Sequence, residues 1–155
     1  MDHASLIQNK FANIWPHFLF FEILRSKTAV KAWGSANGYL IFQVIAWHHI
    51  LILTNYMNSE LRDEGVELWN KFSKTGFQSN TVLSYTLISE LTSLSVETVR
   101  RQVKKLEQNN WVSYSKKEGV KYSASEENNK YLADTFNVKE VQNFGKLLDL
   151  IEKNK

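Results

Sequence analysis

The sequence predicts a mainly α fold carrying one small β-hairpin. Three observations predict it: apolar residues recur at helical spacing through most of the 155 residues, a serine-capped helix with an apolar stripe and a basic outer face occupies 95–110, and two short β-prone runs joined at Gly119 follow it. The length is that of one domain, enough to bury a real core. Cysteine is absent, which excludes disulfide frameworks, thiolate zinc sites and cysteine nucleophiles and is compatible with a reducing cytoplasm. The net charge is only +3. Within 84–125, however, Arg100, Arg101, Lys104, Lys105, Lys116, Lys117 and Lys121 stand against Glu90, Glu97, Glu107 and Glu118, so the whole surplus lies in that segment.

From the N-terminus, Ile7, Phe11, Ile14, Phe18 and Phe21 recur at spacings of four and three, the seam of a packed or paired helix that Trp15, Leu19 and Leu24 broaden. Pro16 either opens the second half of this segment or kinks a continuous helix. A short helix over 28–33 is expected next, ending near Gly34. Asn37 or Gly38 then precedes YLIFQVIAWHHILILTNYM, apolar almost all round but interrupted by Gln43, His48 and His49. It reads as a central buried helix and not as a membrane span. The first residues include Asp2 and lack a basic region before an apolar run, so they do not read as a secretory signal. His48 and His49 project about 100° apart on a helix, which favours buried, hydrogen-bonded histidines over a shared metal. In 59–72, Glu60, Asp63, Glu64 and Glu67 can cluster on one face, but a dipole-complementing, solvated helix start is the stronger reading over a cation or acid–base site. Residues 74–80 read as a linker.

Ser84 can cap a short helix, YTLISEL, in which Leu87 and Leu91 share a face and Leu94 lies in the turn beyond. Ser95 can cap the next helix, Val96 to Gln108, because its hydroxyl can accept from an orphan N–H of the first turn. Val99, Val103 and Leu106 then form the inward stripe, at roughly 100° per residue. Glu97, Arg101, Lys104 and Gln108 face outward, with Arg100 and Lys105 on the flanks. Asn110 is placed to take the left-handed conformation that ends a helix. Trp111 opens WVSYS, and KKEG, with Gly119 at a positive φ, turns the chain into VKYSAS.

Residues 84–125 resemble a winged helix-turn-helix, and Glu97, Thr98, Val99, Arg101, Lys104, Leu106 and Glu107 match the DNA-binding segment of the Crp/Fnr regulators. The resemblance implies that Glu97 and Arg101 contact bases. Arginine can bond bidentately to guanine, and glutamate can accept from the amino group of cytosine. Phosphate contacts would fall to Ser95, Thr98, Arg100, Lys104, Lys105 and the wing lysines Lys116, Lys117 and Lys121. Val96 stands where the family often has a basic residue, so the sequence read must differ; Val96 can instead touch a thymine methyl. Ser89 and Ser93 stand where alanine and glycine are favoured, and a positive φ at Ser93 would cost about 1 kcal/mol.

Residues 126–136 and 138–153 read as one broken or two consecutive helices, the last made amphipathic by Val138, Val141, Phe144, Leu148 and Ile151. Apolar helices at both ends suggest a dimerisation platform, an architecture that resembles MarR-type regulators; the same helices can instead complete a monomer's core. The expected organisation is a helical part over 1–78, the winged helix-turn-helix over 79–125 and C-terminal helices over 126–155 that pack with the first. Trp15, Trp33, Trp47 and Trp69 are core residues by type, and they are also the side chains that would line a pocket for a small apolar or aromatic effector. No HExxH, nucleophile elbow, P-loop or dinucleotide glycine fingerprint occurs, so no enzyme, metal or cofactor is expected. The expected function is a cytoplasmic, homodimeric transcriptional regulator that binds a specific double-stranded DNA sequence. The alternatives are a winged-helix protein-interaction module, with the basic helix and Trp111 in the interface, and a nonspecific nucleic-acid binder dominated by its lysines.

Overall fold

The computed structural model describes residues 2–54 and 82–155, with the side chains of 51–54 outside the description. The acidic run at 59–72, Trp69 and the linker at 74–80 therefore lie outside the described residues. In order, the elements are α1 His3–Asn9, α2 Phe11–Trp33, α3 Ala36–Thr54, α4 Tyr85–Thr92, α5 Val96–Gln108, β1 Val112–Ser115, β2 Gly119–Tyr122, α6 Glu126–Tyr131, a π-helical turn Leu132–Phe136 and α7 Asn137–Lys153. The fold is mainly α with one two-stranded antiparallel sheet. No helix among the described residues is long and apolar enough to cross a membrane.

Asp2 caps α1 by accepting from the Ser5 N–H at 2.9 Å. Pro16 lies inside α2, where its ring lacks the N–H that the Ala12 carbonyl would otherwise receive. The helix nevertheless continues to Trp33, so 28–33 is its last stretch and not a separate helix. It stops at Gly34, which takes φ 79°. Of the expected N-terminal seam, Ile14 is fully buried but Phe11 is half exposed, its ring stacked on Trp15 at 5.1 Å. The C-terminal helix also departs from expectation. Its buried residue is Leu147, while Val141, Phe144 and Leu148 are 68%, 49% and 47% exposed. The break before it is a π turn within one continuous helical run.

The core gathers residues from all three expected parts of the chain. Trp33 is its hub: it stacks on Phe42 at 4.4 Å and Tyr39 at 5.6 Å, tilts against Trp111 at 5.5 Å and meets Phe136 edge-on at 4.9 Å. Such pairs each contribute about 0.5–1.5 kcal/mol beyond the area they bury, so one indole ties α2, α3, the hairpin and the π turn together. Helix α3 is not buried all round. Ile41, Phe42, Ile45 and His49 face the core, whereas Trp47 and Ile50 are about half exposed. Its inner face packs on α4, α5 and β2, and so forms the floor on which the 84–125 segment is built. Arg25 donates to Glu140 at 2.6 Å and Phe21 meets Phe144 at 5.8 Å, so rising numbers on α2 meet falling numbers on α7 and the two helices run antiparallel.

Candidate nucleic-acid interface

Ser84 caps α4, its hydroxyl accepting from the Leu87 N–H at 3.1 Å. The residue that α4 buries completely is Ile88, not the expected stripe: Leu87 and Leu94 pack partly, and Leu91 is half exposed. A short helix pressed on both α3 and α5 needs one central knob, and Ile88 stands between Leu87 and Leu91. The turn to α5 runs through Ser93, which takes the left-handed conformation at φ 58°. The Ser89 hydroxyl donates to the Leu94 carbonyl at 2.6 Å. The Ser89 hydroxyl therefore clamps the turn that the left-handed Ser93 strains.

Helix α5 begins where its cap requires. The Ser95 hydroxyl accepts from the Thr98 N–H at 3.1 Å and donates to the Thr98 hydroxyl at 2.9 Å, which joins the two side chains at the helix N-terminus. Val99, Val103 and Leu106 are at most 1% exposed, so the inward stripe is sealed. A fourth inward residue is Gln102, whose Oε1 accepts from the Ser35 hydroxyl at 3.1 Å while Ser35 accepts from the Gly38 N–H at 2.9 Å. This bond anchors α5 to the α2–α3 turn. Sequence periodicity did not select Gln102, although it lies between Val99 and Leu106 on the stripe. Gly38 permits the close approach, since a Cβ there would lie 2.5 Å from the Trp33 carbonyl oxygen.

Outward, α5 exposes Val96, Glu97, Arg100, Arg101, Lys104 and Lys105. The structure brings Glu97 and Arg100 together: the guanidinium donates to both carboxylate oxygens at 2.8–3.1 Å. Those hydrogen bonds hold the Glu97 carboxyl below its ordinary range. One proposed base contact and one proposed phosphate contact thus form a single paired unit in the unbound protein, a contact between residues i and i+3 that helical geometry favours.

Asn110 takes φ 58° as its position predicts. The turn is fastened by Asn128, whose amide donates to the carbonyls of Asn109 and Asn110 at 2.8 and 2.9 Å. Trp111 precedes the first strand and is buried, so it is not available to a protein partner. In the hairpin, Val112 pairs with Tyr122 and Ser115 with Gly119. Gly119 has φ 70°, and a Cβ on it would lie 2.7 Å from the Leu83 carbonyl oxygen. That space lets Leu83 form a parallel bridge to Gly119 and accept from the Val120 N–H at 2.9 Å. Lys116 and Lys117 project from the hairpin tip, while Lys121 is paired with Glu118 at 2.8 Å.

Two further contacts fix the hairpin relative to α5. Glu107 accepts from the Tyr114 N–H at 3.1 Å, and Tyr114 stacks on Tyr85, the first residue of α4, at 4.4 Å. Burial, then the neighbouring Tyr114 and Glu107, raise the Tyr85 hydroxyl above its ordinary range and keep it a donor. Their signal in sequence was weak, because neither tyrosine belongs to an apolar stripe.

Of the tryptophans expected around an effector, the three among the described residues, Trp15, Trp33 and Trp47, do not converge. Trp33 is core, Trp15 stacks on Phe11 and tilts against Phe18, and Trp47 is half exposed. A cleft of about 210 Å³ lies instead between α2, the π turn and α7, lined by Phe21, Leu24, Phe136 and the polar Arg25, Lys139 and Glu140 among others. Among the described residues no group of three or more His, Cys, Asp or Glu side chains is placed to hold a metal. No known protein family, curated protein or solved structure matches the chain.

Proposed function

We propose that this chain is a sequence-specific, double-stranded-DNA-binding regulator of transcription that acts as a homodimer through a winged helix-turn-helix. The observation that carries the reading is α5 itself: its inner stripe is sealed and fastened, while its outer face offers cations along the helix. Such a helix fits the major groove, which is wide enough to admit it. The order α4, turn, α5, hairpin, with Leu83 laid against β2, supports the winged topology. Arg101 and Glu97 read base edges and Val96 lies against a thymine methyl. Ser95, Thr98, Arg100, Lys104, Lys105 and the hairpin lysines Lys116, Lys117 and Lys121 hold phosphates. Two such helices ~34 Å apart read a palindrome far more selectively than one.

Selection of bound sequences from a random duplex pool at moderate salt, with wild type and Arg101→Ala in parallel, tests this. Wild type is expected to enrich a palindrome, and Arg101→Ala to lose about 1–3 kcal/mol on it and relax the preference at one base pair. Lys117→Ala should weaken every sequence alike and lower the salt slope. An unenriched pool overturns the reading.

A further inference from the structure

The cleft between α2, the π turn and α7 has no part in the DNA-binding reading. One face of α2, carrying Phe21, Leu24 and Arg25, meets one face of the π turn and α7, carrying Phe136, Glu140 and Asn143, and about 210 Å³ stays open between them. Positions three, four and seven apart lie along one side of a helix, so each face is continuous. An apolar cavity of ~150 Å³ takes one benzene ring. The cleft therefore suits a molecule with one ring-sized or branched apolar group and a short polar head, smaller than the drug-sized ligands of ordinary pockets.

Its lining divides in the same way. Phe21, Leu24 and the buried Phe136 supply an apolar wall, and Arg25, Lys139, Glu140 and Asn143 supply polar groups. Arg25 Nε donates to Glu140 Oε1 at 2.6 Å, with the two side chains only 32% and 25% exposed. Among the described residues, the terminal nitrogens of that guanidinium and Glu140 Oε2 make no other hydrogen bond. The Asn143 amide makes none there either, so a donor and an acceptor stand unused in the cleft. The π turn Leu132–Phe136 is an independent observation: such turns are rare and occur mostly at functional sites. No proline or glycine stands between 126 and 144 to force it, and it ends on Phe136, which lines the cleft.

We propose that this cleft binds a free amino acid with an apolar side chain. Its carboxylate accepts from the terminal nitrogens of Arg25 and from the Lys139 ammonium, its own ammonium donates to Glu140 Oε2 and the Asn143 amide oxygen, and its side chain lies against Phe21, Leu24 and Phe136. A zwitterion is the class that fits because the cleft presents both signs within one hydrogen-bonded pair. A ligand with a carboxylate alone sets a second anion beside Glu140, and one with an ammonium alone sets another cation beside Arg25 and Lys139; like charges so placed cost affinity. A ligand that carries both meets each charge with its opposite. The proposal stands on the cleft alone and does not depend on the DNA reading.

Isothermal titration of the full chain tests it, with four probes: L-phenylalanine, L-leucine, 3-phenylpropanoate, which lacks the ammonium, and 2-phenylethylamine, which lacks the carboxylate. At least one amino acid is expected to bind, and each one-charge analogue to bind at least about tenfold more weakly than phenylalanine. Glu140→Gln should weaken the amino acids by about tenfold or more while leaving 3-phenylpropanoate unchanged or tighter, because the repelling carboxylate is gone. A merely structural role for Glu140 moves all probes in the same direction, so that result overturns the assignment. Asn143→Ala removes an amide that makes no hydrogen bond among the described residues. It should keep the far-UV circular dichroism of wild type and weaken the amino acids without weakening 3-phenylpropanoate. No heat from either amino acid up to about 10 mM overturns the proposal, and so does 3-phenylpropanoate or 2-phenylethylamine binding as tightly as phenylalanine.

Discussion

Helices α5 and α7 are both amphipathic in sequence, yet the fold treats their apolar stripes in opposite ways. In α5, Val99, Val103 and Leu106 disappear against α3, α4 and the hairpin, and apart from Val96 at its start the side chains that face out are polar or charged. In α7, Leu147 is buried while Val141, Phe144 and Leu148 stay half to two-thirds bare, although α2 lies alongside. Amphipathicity declares that a face seeks cover. It does not say whether the cover belongs to the same chain. A helix sealed inside and charged outside suits a polyanion, whereas one left apolar outside suits another apolar surface.

The largest test of this contrast is a matched pair of truncations. Leu106→Ala should destabilise the fold by about 2–5 kcal/mol, because it removes a fully buried side chain and leaves a cavity. Leu148→Ala, the same chemical change, should cost less than about 1 kcal/mol at concentrations low enough to keep the chain monomeric. Urea unfolding of the two variants measures both. Equal losses would mean that the stripe on α7 is covered within the monomer after all.

A middle-sized effect comes from the floor beneath α5. His49 of α3 is 7% exposed and stacks on Tyr122 at 4.8 Å. Burial, with the adjacent His48, lowers its pKa to about 4 from the ordinary 6.5. The folded-state value lies below the unfolded one, so the unfolded chain takes up the proton first as pH falls. Stability is complete above about pH 6.5, declines between there and about pH 4, and should lose roughly 2 kcal/mol by about pH 5. Denaturant midpoints at neutral pH and near pH 5 read this change. If His49→Phe shows the same decline as wild type, another group is responsible.

The smallest expected effect is a gain. Ser93 sits at φ 58° in the turn between α4 and α5, a conformation that costs a residue with a Cβ about 1 kcal/mol. Ser93→Gly should recover up to about 1 kcal/mol, less what is lost to the greater freedom of glycine in the unfolded chain. A lowered urea midpoint would show that the Ser93 side chain contributes more than its backbone strain costs.

Much of the candidate site was legible in the sequence because its signals are local. Serine caps at Ser84 and Ser95, left-handed positions at Ser93, Asn110 and Gly119, and the Val99–Val103–Leu106 stripe each depend on residues within two helical turns. What the sequence concealed depends on distant partners. Gln102 is polar by type and turned inward only because Ser35, 67 residues away, meets its amide. Leu91 has a better apolar spacing than Ile88, but α3 and α5 together decide which residue of α4 is the knob. The Glu97–Arg100 pair, by contrast, is legible in the sequence, because residues three apart on a helix are neighbours.

The sequence by itself determined the capped starts at Ser84 and Ser95, the stops at Gly34 and Asn110, where the hairpin turns and where the cations gather, since caps, positive φ angles and charge are properties of a residue and its near neighbours. Only the tertiary structure decided which apolar faces would be covered. Trp33, Phe42, Trp111 and Phe136 meet from four separate segments, whereas Phe20, Ile23 and Val141, no less apolar, are left outside. Burial depends on what the rest of the chain brings to a surface, and periodicity along one helix carries no information about that.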